Sequence, residues 1–105
     1  MPRSSCTAPA ALALLLAAAP AAFAQDVHLA RNLAATCANC HGTNGQGRGE
    51  MKALAGRPAA ATIAMMAGYK SGTLPATIMH QIAKGYTDEQ IKLIANYLAA
   101  QQPKK

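Results

Sequence analysis

Apolar residues recur at the three-to-four-residue spacing of an amphipathic helix along most of the chain after residue 25. The pattern predicts four helices, over residues 27–34, 59–69, 76–83 and 88–102. No alternating stretch is long enough to predict a strand. We therefore expect a small all-α domain of four or five short helices.

Helix boundary signals accompany these stretches. Asp26 can cap the first helix, and Pro58 is suited to be the first residue of the second, which Gly72 should end. The sequence 87–90, Thr-Asp-Glu-Gln, is a capping box for the last helix, which Pro103 is expected to end. The apolar face of that helix consists of Ile91, Ile94, Ala95 and Leu98.

The first 24 residues have the pattern of a secretory signal peptide. Arg3 supplies the positive start, residues 8–19 form a short apolar core, and residues 22–24, Ala-Phe-Ala, offer a cleavage pattern. We expect cleavage after Ala24, so that 1–24 is a removed leader and 25–105 is one exported, periplasmic domain. An uncleaved membrane anchor is the alternative, but the apolar run is short for a bilayer span.

Charge restricts the class of partner. Of the ten Lys and Arg and four Asp and Glu, only Arg3 lies within 1–24, so residues 25–105 carry a net charge of +5. The basic residues are scattered, which does not favour nucleic-acid binding. A moderate positive field suits an acidic redox partner, with at most peripheral contact with anionic lipid. A domain of this length is also small for a self-sufficient core, so a large apolar cofactor would help to stabilise it.

The strongest chemical signal is Cys37-Ala38-Asn39-Cys40-His41. Cys-x-x-Cys-His is the attachment sequence of c-type haem. The two thiols add to the two haem vinyl groups, and the histidine that follows donates a ring nitrogen to the iron. The sequence thus predicts one covalent haem c, with Cys37 and Cys40 as thioether residues and His41 as proximal ligand.

Three other sites contain similar residues. A zinc site needs four ligands, and no second Cys pair follows; His28 and His80 would have to serve at unusual spacings. A thioredoxin-like dithiol belongs to a βαβ framework, which the pattern does not predict. A plain disulfide would leave His41 and the export signal unexplained.

The sixth iron ligand is less determined. Methionine, histidine or an open position are the options, and methionine raises the potential. The candidates are Met51, Met65, Met66, Met79, His28 and His80. Met79 lies in a segment well after the motif, whereas Met65 and Met66 lie inside a predicted helix, where core packing is common. Position alone favours Met79 without excluding the other five.

The motif, together with residues 54–56, Leu-Ala-Gly, resembles a class I cytochrome c. Residues 77–91, TIMHQIAKGYTDEQI, more particularly resemble the haem domains of the cytochrome subunit of flavocytochrome c sulfide dehydrogenase. The resemblance implies the class I fold wrapped around one haem, Met79 as distal ligand, and electron transfer from a sulfide-oxidising flavoprotein. The chain would then be a non-catalytic subunit and no enzyme itself.

Two departures from that family leave alternatives open. Its best-known subunits carry two haem domains, but this chain has one motif, so a free periplasmic carrier serving an oxidase or another dehydrogenase is the alternative. A haem sensor or enzyme with an open sixth site is a third. Lys52 also stands where many class I cytochromes have proline, so its carbonyl would have to orient His41.

The remaining expectations concern the pocket. Tyr86 is a candidate partner of a haem propionate, although a tyrosine at a helix start commonly just packs. The apolar wall around the haem is predicted from seven residues, each of which could equally be helix–helix core: Leu33, Leu54, Ile63, Met66, Ile82, Ile94 and Leu98.

Overall fold

The computed structural model describes residues 1, 2, 4 and 28–105. The predicted cleavage site, Asp26 and Val27 lie outside these residues. The described part contains five α-helices: α1 (Leu29–Ala35), α2 (Ala38–His41), α3 (Ala59–Ser71), α4 (Met79–Lys84) and α5 (Asp88–Ala99). A 3₁₀ turn (Thr43–Gly45) follows α2. Within the described ranges no strand forms, apart from an isolated bridge between Arg48 and Met51. The predicted all-α class is therefore confirmed.

Helix α3 and helix α5 begin where their sequence signals lie. Pro58 is the N-cap of α3 rather than its first residue, and Gly72 ends that helix in the left-handed conformation at φ 78°. In α5 the Thr87 side chain accepts from the backbone N–H of Gln90, whose side chain bonds the N–H of Thr87 in return. This is the predicted capping box.

Two predicted boundaries were wrong. Helix α4 begins at Met79 and not at residue 76, because Ile78 has a non-helical φ of −132°. Helix α5 ends at Ala99, several residues before Pro103. Pro103 packs instead against Gly56, where an added Cβ would lie 2.6 Å from the proline ring.

The helices bury two apolar clusters. The motif-side cluster consists of Ala34, Ile94 and Leu98, where α1 packs on α5. The methionine-side cluster consists of Met66, Ala83 and Ile91, where α3, α4 and α5 meet. The predicted face of α5 contributes Ile91, Ile94 and Leu98 to these clusters, and the cavity described next lies against both.

Candidate cofactor site

A cavity of about 540 Å³ opens beside α2, within the range of roughly 300–1,000 Å³ found for ligand pockets. Cys37, Cys40 and His41 all line it. Cys37 is the N-cap of α2, and its carbonyl accepts from the N–H of His41 at 2.9 Å. This single helical turn places residues three and four apart on one face, so the turn presents the two thiols and the imidazole to the same space.

The ring of His41 is oriented by the backbone. Its Nδ1 lies 2.9 Å from the carbonyl oxygen of Lys52. A carbonyl can only accept, so Nδ1 carries the proton and Nε2 keeps a lone pair for a metal. The expectation that Lys52 could replace a proline here is met by this hydrogen bond, which is the usual kind of support for a histidine ligand.

The loop after the motif brings Lys52 back to His41. The N–H of Gly47 donates to the carbonyl of His41 at 2.6 Å, while Leu54 and Ala55 both donate to Gly45. Gly42 makes this turn at φ 79°, and an added Cβ would lie only 2.4 Å from the oxygen of Gly47. Glycine is thus required directly after the histidine, both for its conformation and for the close approach.

The two thiols differ in their surroundings. Cys37 is half-buried and packs against the motif-side cluster, and burial raises the pKa of its thiol. Cys40 is exposed at the cavity. They form no disulfide with each other. Nowhere in the described part of the chain do three His, Cys, Asp or Glu side chains converge as a zinc site requires.

All four methionines after residue 28 line the cavity, so lining alone does not select the sixth ligand. Met66 is 9% exposed and belongs to the methionine-side cluster. The sulfur of Met65 accepts from Nη1 of Arg57 at 2.9 Å, and Met51 is 44% exposed on the loop. Met79 is half-buried at the start of α4 and packs against the same methionine-side cluster.

The histidine candidates for the sixth position do not line the cavity. The Nε2 of His80 hydrogen-bonds the carbonyl of Leu74, and its ring lies edge-on to Tyr69 with 6.3 Å between centroids. His80 is therefore a half-buried packing residue.

Five of the seven predicted wall residues line the cavity: Leu54, Met66, Ile82, Ile94 and Leu98. Leu33 and Ile63 do not; they pack against the two clusters instead. Sequence reasoning missed Ile91, Tyr69 and the segment 75–78, all of which line the cavity. The buried stripe of α5 could have indicated Ile91, whereas residues 76–78 were predicted as helix and are not helical.

Tyr86 lines the cavity and joins the two clusters, since it packs against both. Its hydroxyl lies within hydrogen-bond distance of Thr36 Oγ1. Thr36 in turn donates its own proton to the carbonyl of Leu33 at 2.9 Å. The Tyr86 hydroxyl must therefore be the donor of the pair, which ties the end of α1 to the start of α5.

Two thiols at a two-residue gap, an imidazole with its outer nitrogen oriented, thioethers and apolar walls together fit a covalently attached haem. Among the described residues no helix is long and apolar enough to cross a membrane. The ligand atoms that line the cavity differ from the four ligands of a zinc site, and the two thiols are not joined in a disulfide.

Comparison with known proteins gives the same cofactor. The family model for "Cytochrome C oxidase, cbb3-type, subunit III" matches residues 24–98. The "Cytochrome subunit of sulfide dehydrogenase" of Chlorobaculum tepidum is 37% identical over 65 residues, covering 62% of this chain and 59% of that protein. "Cytochrome c-553" of Desulfomicrobium norvegicum is 33% identical over 72 residues, covering 66% and 90% respectively.

A solved structure of cytochrome c4 from Acidithiobacillus ferrooxidans superposes with a TM-score of 0.61 at 33% identity, covering 69% of this chain and 49% of that one. The chain spans only 28–59% of the length of several proteins that it matches. The matches confirm the predicted class I cytochrome c fold, the resemblance to the sulfide dehydrogenase subunit, and covalent c-type haem as the cofactor of these proteins.

Proposed function

Because the chain belongs to the cytochrome c family represented by subunit III of the cbb3-type oxidases, we propose that it is a one-haem electron carrier. Residues 25–105 form the haem domain. Cys37 and Cys40 bond the haem through thioethers, His41 is the proximal ligand, and Met79 is the distal ligand. The relatives are electron-carrying cytochromes or cytochrome subunits, which supports a carrier rather than an enzyme.

One observation carries this proposal. The cavity that receives Cys37, Cys40 and His41 is also lined by Met79, and the His41 ring is already held by the Lys52 carbonyl. The ring is thus fixed in the tautomer that presents Nε2 to a metal. Of the other thioethers, those of Met65 and Met66 have partners or packing of their own.

A c-type haem bound here supplies a one-electron couple. His41 and Met79 would hold the iron in both oxidation states, so that little would rearrange during electron transfer. Ile94 and Leu98, which are 3% and 1% exposed, keep water from one wall of the cavity. A thioether ligand and an apolar pocket both favour the less charged ferrous form and raise the potential.

The ligand assignment is tested by replacing Met79 with alanine in the haem-loaded protein. Oxidised Met-ligated haem shows a weak near-infrared charge-transfer band from sulfur to iron, and Met79→Ala should abolish it and lower the potential. The matched control is Met65→Leu, which removes another cavity thioether and should retain the band. A band that survives Met79→Ala would show that another methionine is the ligand.

For the partner, we propose a sulfide-oxidising flavoprotein as the electron donor. The likeness to the sulfide dehydrogenase subunit and the +5 charge of residues 25–105 support this choice. The chain should copurify with a flavin-containing protein, and its reduction by sulfide should be much faster in the presence of that protein. An unchanged rate of reduction on adding the flavoprotein would contradict the assignment.

A free carrier is the second candidate, because the chain covers 90% of the c-553 from Desulfomicrobium norvegicum. This candidate predicts that the haem protein migrates alone in gel filtration and exchanges electrons with several partners. A sensor or enzyme with an open sixth site is the third. It predicts rapid binding of carbon monoxide by the ferrous protein, which a Met79 ligand would hinder.

We also propose export, with cleavage after Ala24 and haem attachment in the periplasm. The pattern of residues 1–24 supports this, and class I cytochromes such as the relatives are typically exported. N-terminal sequencing of the mature haem protein should begin at Gln25. A mature chain that still begins at residue 1 or 2 would contradict cleavage.

A further inference from the structure

A haem in this cavity brings two carboxylates, and the cavity must provide for them. The charged residues that line the cavity are Glu50, Lys52 and Arg57. Its other titratable lining groups are Cys37, Cys40, His41, Tyr69 and Tyr86. The inference below rests on the proposed haem site, but it does not depend on which residue is the sixth ligand.

Arg57 stands out among the charged groups because it is half-buried, whereas Glu50 and Lys52 are exposed. Among residues 28–105 its guanidinium hydrogen-bonds only the sulfur of Met65, at 2.9 Å from Nη1, and a thioether is a weak acceptor. The one ion pair within residues 28–105 joins Lys70 to Asp88, so no carboxylate of that part neutralises Arg57. A half-buried guanidinium without a carboxylate partner gains from an anion beside it.

Tyr86, the candidate suggested by the sequence, does not suit the same role. Thr36 donates its proton to Leu33, so the hydroxyl of Tyr86 spends its single proton on Thr36. An ionised carboxylate can only accept hydrogen bonds. Tyr86 therefore has nothing to donate unless the tie between α1 and α5 is broken.

Tyr69 lies elsewhere in the cavity. It is near the C-terminal end of α3, packed on the methionine-side cluster and edge-on to His80. Arg57 directly precedes Pro58, the N-cap of the same helix. At about 1.5 Å per residue, the length of α3 separates the two. The planar fork of the guanidinium matches a carboxylate in a way that neither Tyr69 nor the ammonium of Lys52 does.

We propose that Arg57 is the residue of this chain that binds a haem propionate, and that Tyr86 is not. The positive charge of Arg57 keeps the propionate ionised and opposes the extra positive charge of ferric iron. Its guanidinium thereby raises the potential and keeps the potential nearly independent of pH around neutrality.

The test is the midpoint potential of the haem-loaded protein between pH 5 and 8, compared in Arg57→Gln and Arg48→Gln. Both variants lose one positive charge, but Arg48 is exposed, bonds Asn39 and does not line the cavity. In Arg57→Gln we expect the oxidised-to-reduced ratio at a fixed ambient potential to rise by roughly an order of magnitude, because the loss of a nearby positive charge favours ferric iron. A new fall of the potential with rising pH should accompany it, because an unpaired propionate titrates at higher pH. Arg48→Gln should change neither quantity.

Three further variants complete the test. Arg57→Lys should retain the flat pH profile in part, because it keeps the charge but loses the fork. Met65→Leu should behave as the unaltered protein. This variant shows whether the effect of Arg57→Gln comes from the propionate or from the lost contact with the Met65 sulfur. Tyr86→Phe should also keep the flat profile. The proposal is overturned if Arg57→Gln matches Arg48→Gln, or if Tyr86→Phe alone produces the pH dependence.

Failure of this inference and failure of the ligand assignment are distinguishable. If Met79→Ala keeps its near-infrared band, the sixth ligand is wrong, yet the response of Arg57→Gln to pH still decides the propionate partner. If Met79→Ala loses the band while Arg57→Gln is unchanged, only the role of Arg57 is wrong.

Discussion

The two sides of the cavity are built in different ways. On the motif side, Cys37 and His41 are joined by a backbone hydrogen bond, and Gly47 and Lys52 bond His41 from the following loop. All of these partners lie within 11 residues of the histidine. On the other side, Met79 is positioned by side-chain packing against a cluster that α3, α4 and α5 build together.

This difference has a consequence for stability. Met79 is the first residue of a six-residue helix that has no side-chain cap, and its neighbours Ile78 and Ile82 are 57% and 36% exposed. Short helices depend on tertiary packing rather than on their own propensity. We therefore expect the Met79 side to open at lower free energy than the motif side, as a local unfolding event.

The largest expected effect on stability comes from removing one core side chain on each side of the cavity. Leu98→Ala in the motif-side cluster and Ile91→Ala in the methionine-side cluster should each lower the free energy of unfolding by about 2–5 kcal/mol. The side chains are 1% and 3% exposed, so each leaves a cavity. Urea unfolding of the haem protein, followed by far-ultraviolet circular dichroism, measures both losses.

The near-infrared band separates the two variants. In Ile91→Ala the band should disappear at a lower urea concentration than the helical signal, because Met79 loses its packing partner first. In Leu98→Ala the two signals should shift together. Coincident transitions in Ile91→Ala would contradict a separately unfolding methionine side.

The same contrast explains what the sequence could predict. The Cys37–His41 turn and the capping box at Thr87 are local patterns, so their geometry follows from a few adjacent residues. The buried stripe of α5 follows from its period of three to four residues. The capping box and the buried stripe were predicted correctly from the sequence, whereas the helical turn at the Cys-x-x-Cys-His motif was not predicted.

The methionine side was less predictable because its signals are not local. All four methionines line the cavity, and periodicity does not rank them. The start of α4 at Met79 depends on the non-helical backbone of Ile78, which no capping side chain marks. The Thr36–Tyr86 bond joins positions 50 residues apart, so no sequence window contains both.

A second test concerns the turn that brings the loop back to His41. Gly42→Ala should destabilise by more than Gly72→Ala, although both glycines have nearly equal positive φ, 79° and 78°. The ψ of Gly42 is 161°, in a region that essentially only glycine adopts, whereas the ψ of Gly72 is 8°, in the left-handed helical region. An added Cβ meets nothing within 4 Å at Gly72, so that change should cost only the left-handed penalty of about 1–2 kcal/mol. At Gly42 it also collides with the Gly47 backbone.

Thermal unfolding of the haem-loaded variants measures this difference. Gly42→Ala should in addition perturb the His41 signals in proton NMR, since Gly47 donates to the His41 carbonyl. Equal melting temperatures for the two variants would show that the loop can move away without cost. In that case the backbone hydrogen bonds of the motif side would not make it more rigid than the Met79 side.

The smallest test concerns the ion pair between Lys70 and Asp88, which links α3 to the first turn of α5 on the methionine side. The carboxylate side chain of Asp88 is 80% exposed, so Asp88→Asn should cost no more than about 0.5 kcal/mol.

Lys70 also donates to the carbonyl of Tyr86 at 2.8 Å and is only 28% exposed. Lys70→Met should therefore cost more than Asp88→Asn, by the scale of one hydrogen bond, about 1 kcal/mol. In roughly 1 M salt the effect of Asp88→Asn should vanish while that of Lys70→Met persists, because only the former is a screened surface charge. Equal losses in both variants at high salt would mean that the Tyr86 carbonyl contributes nothing to holding α3 against α5.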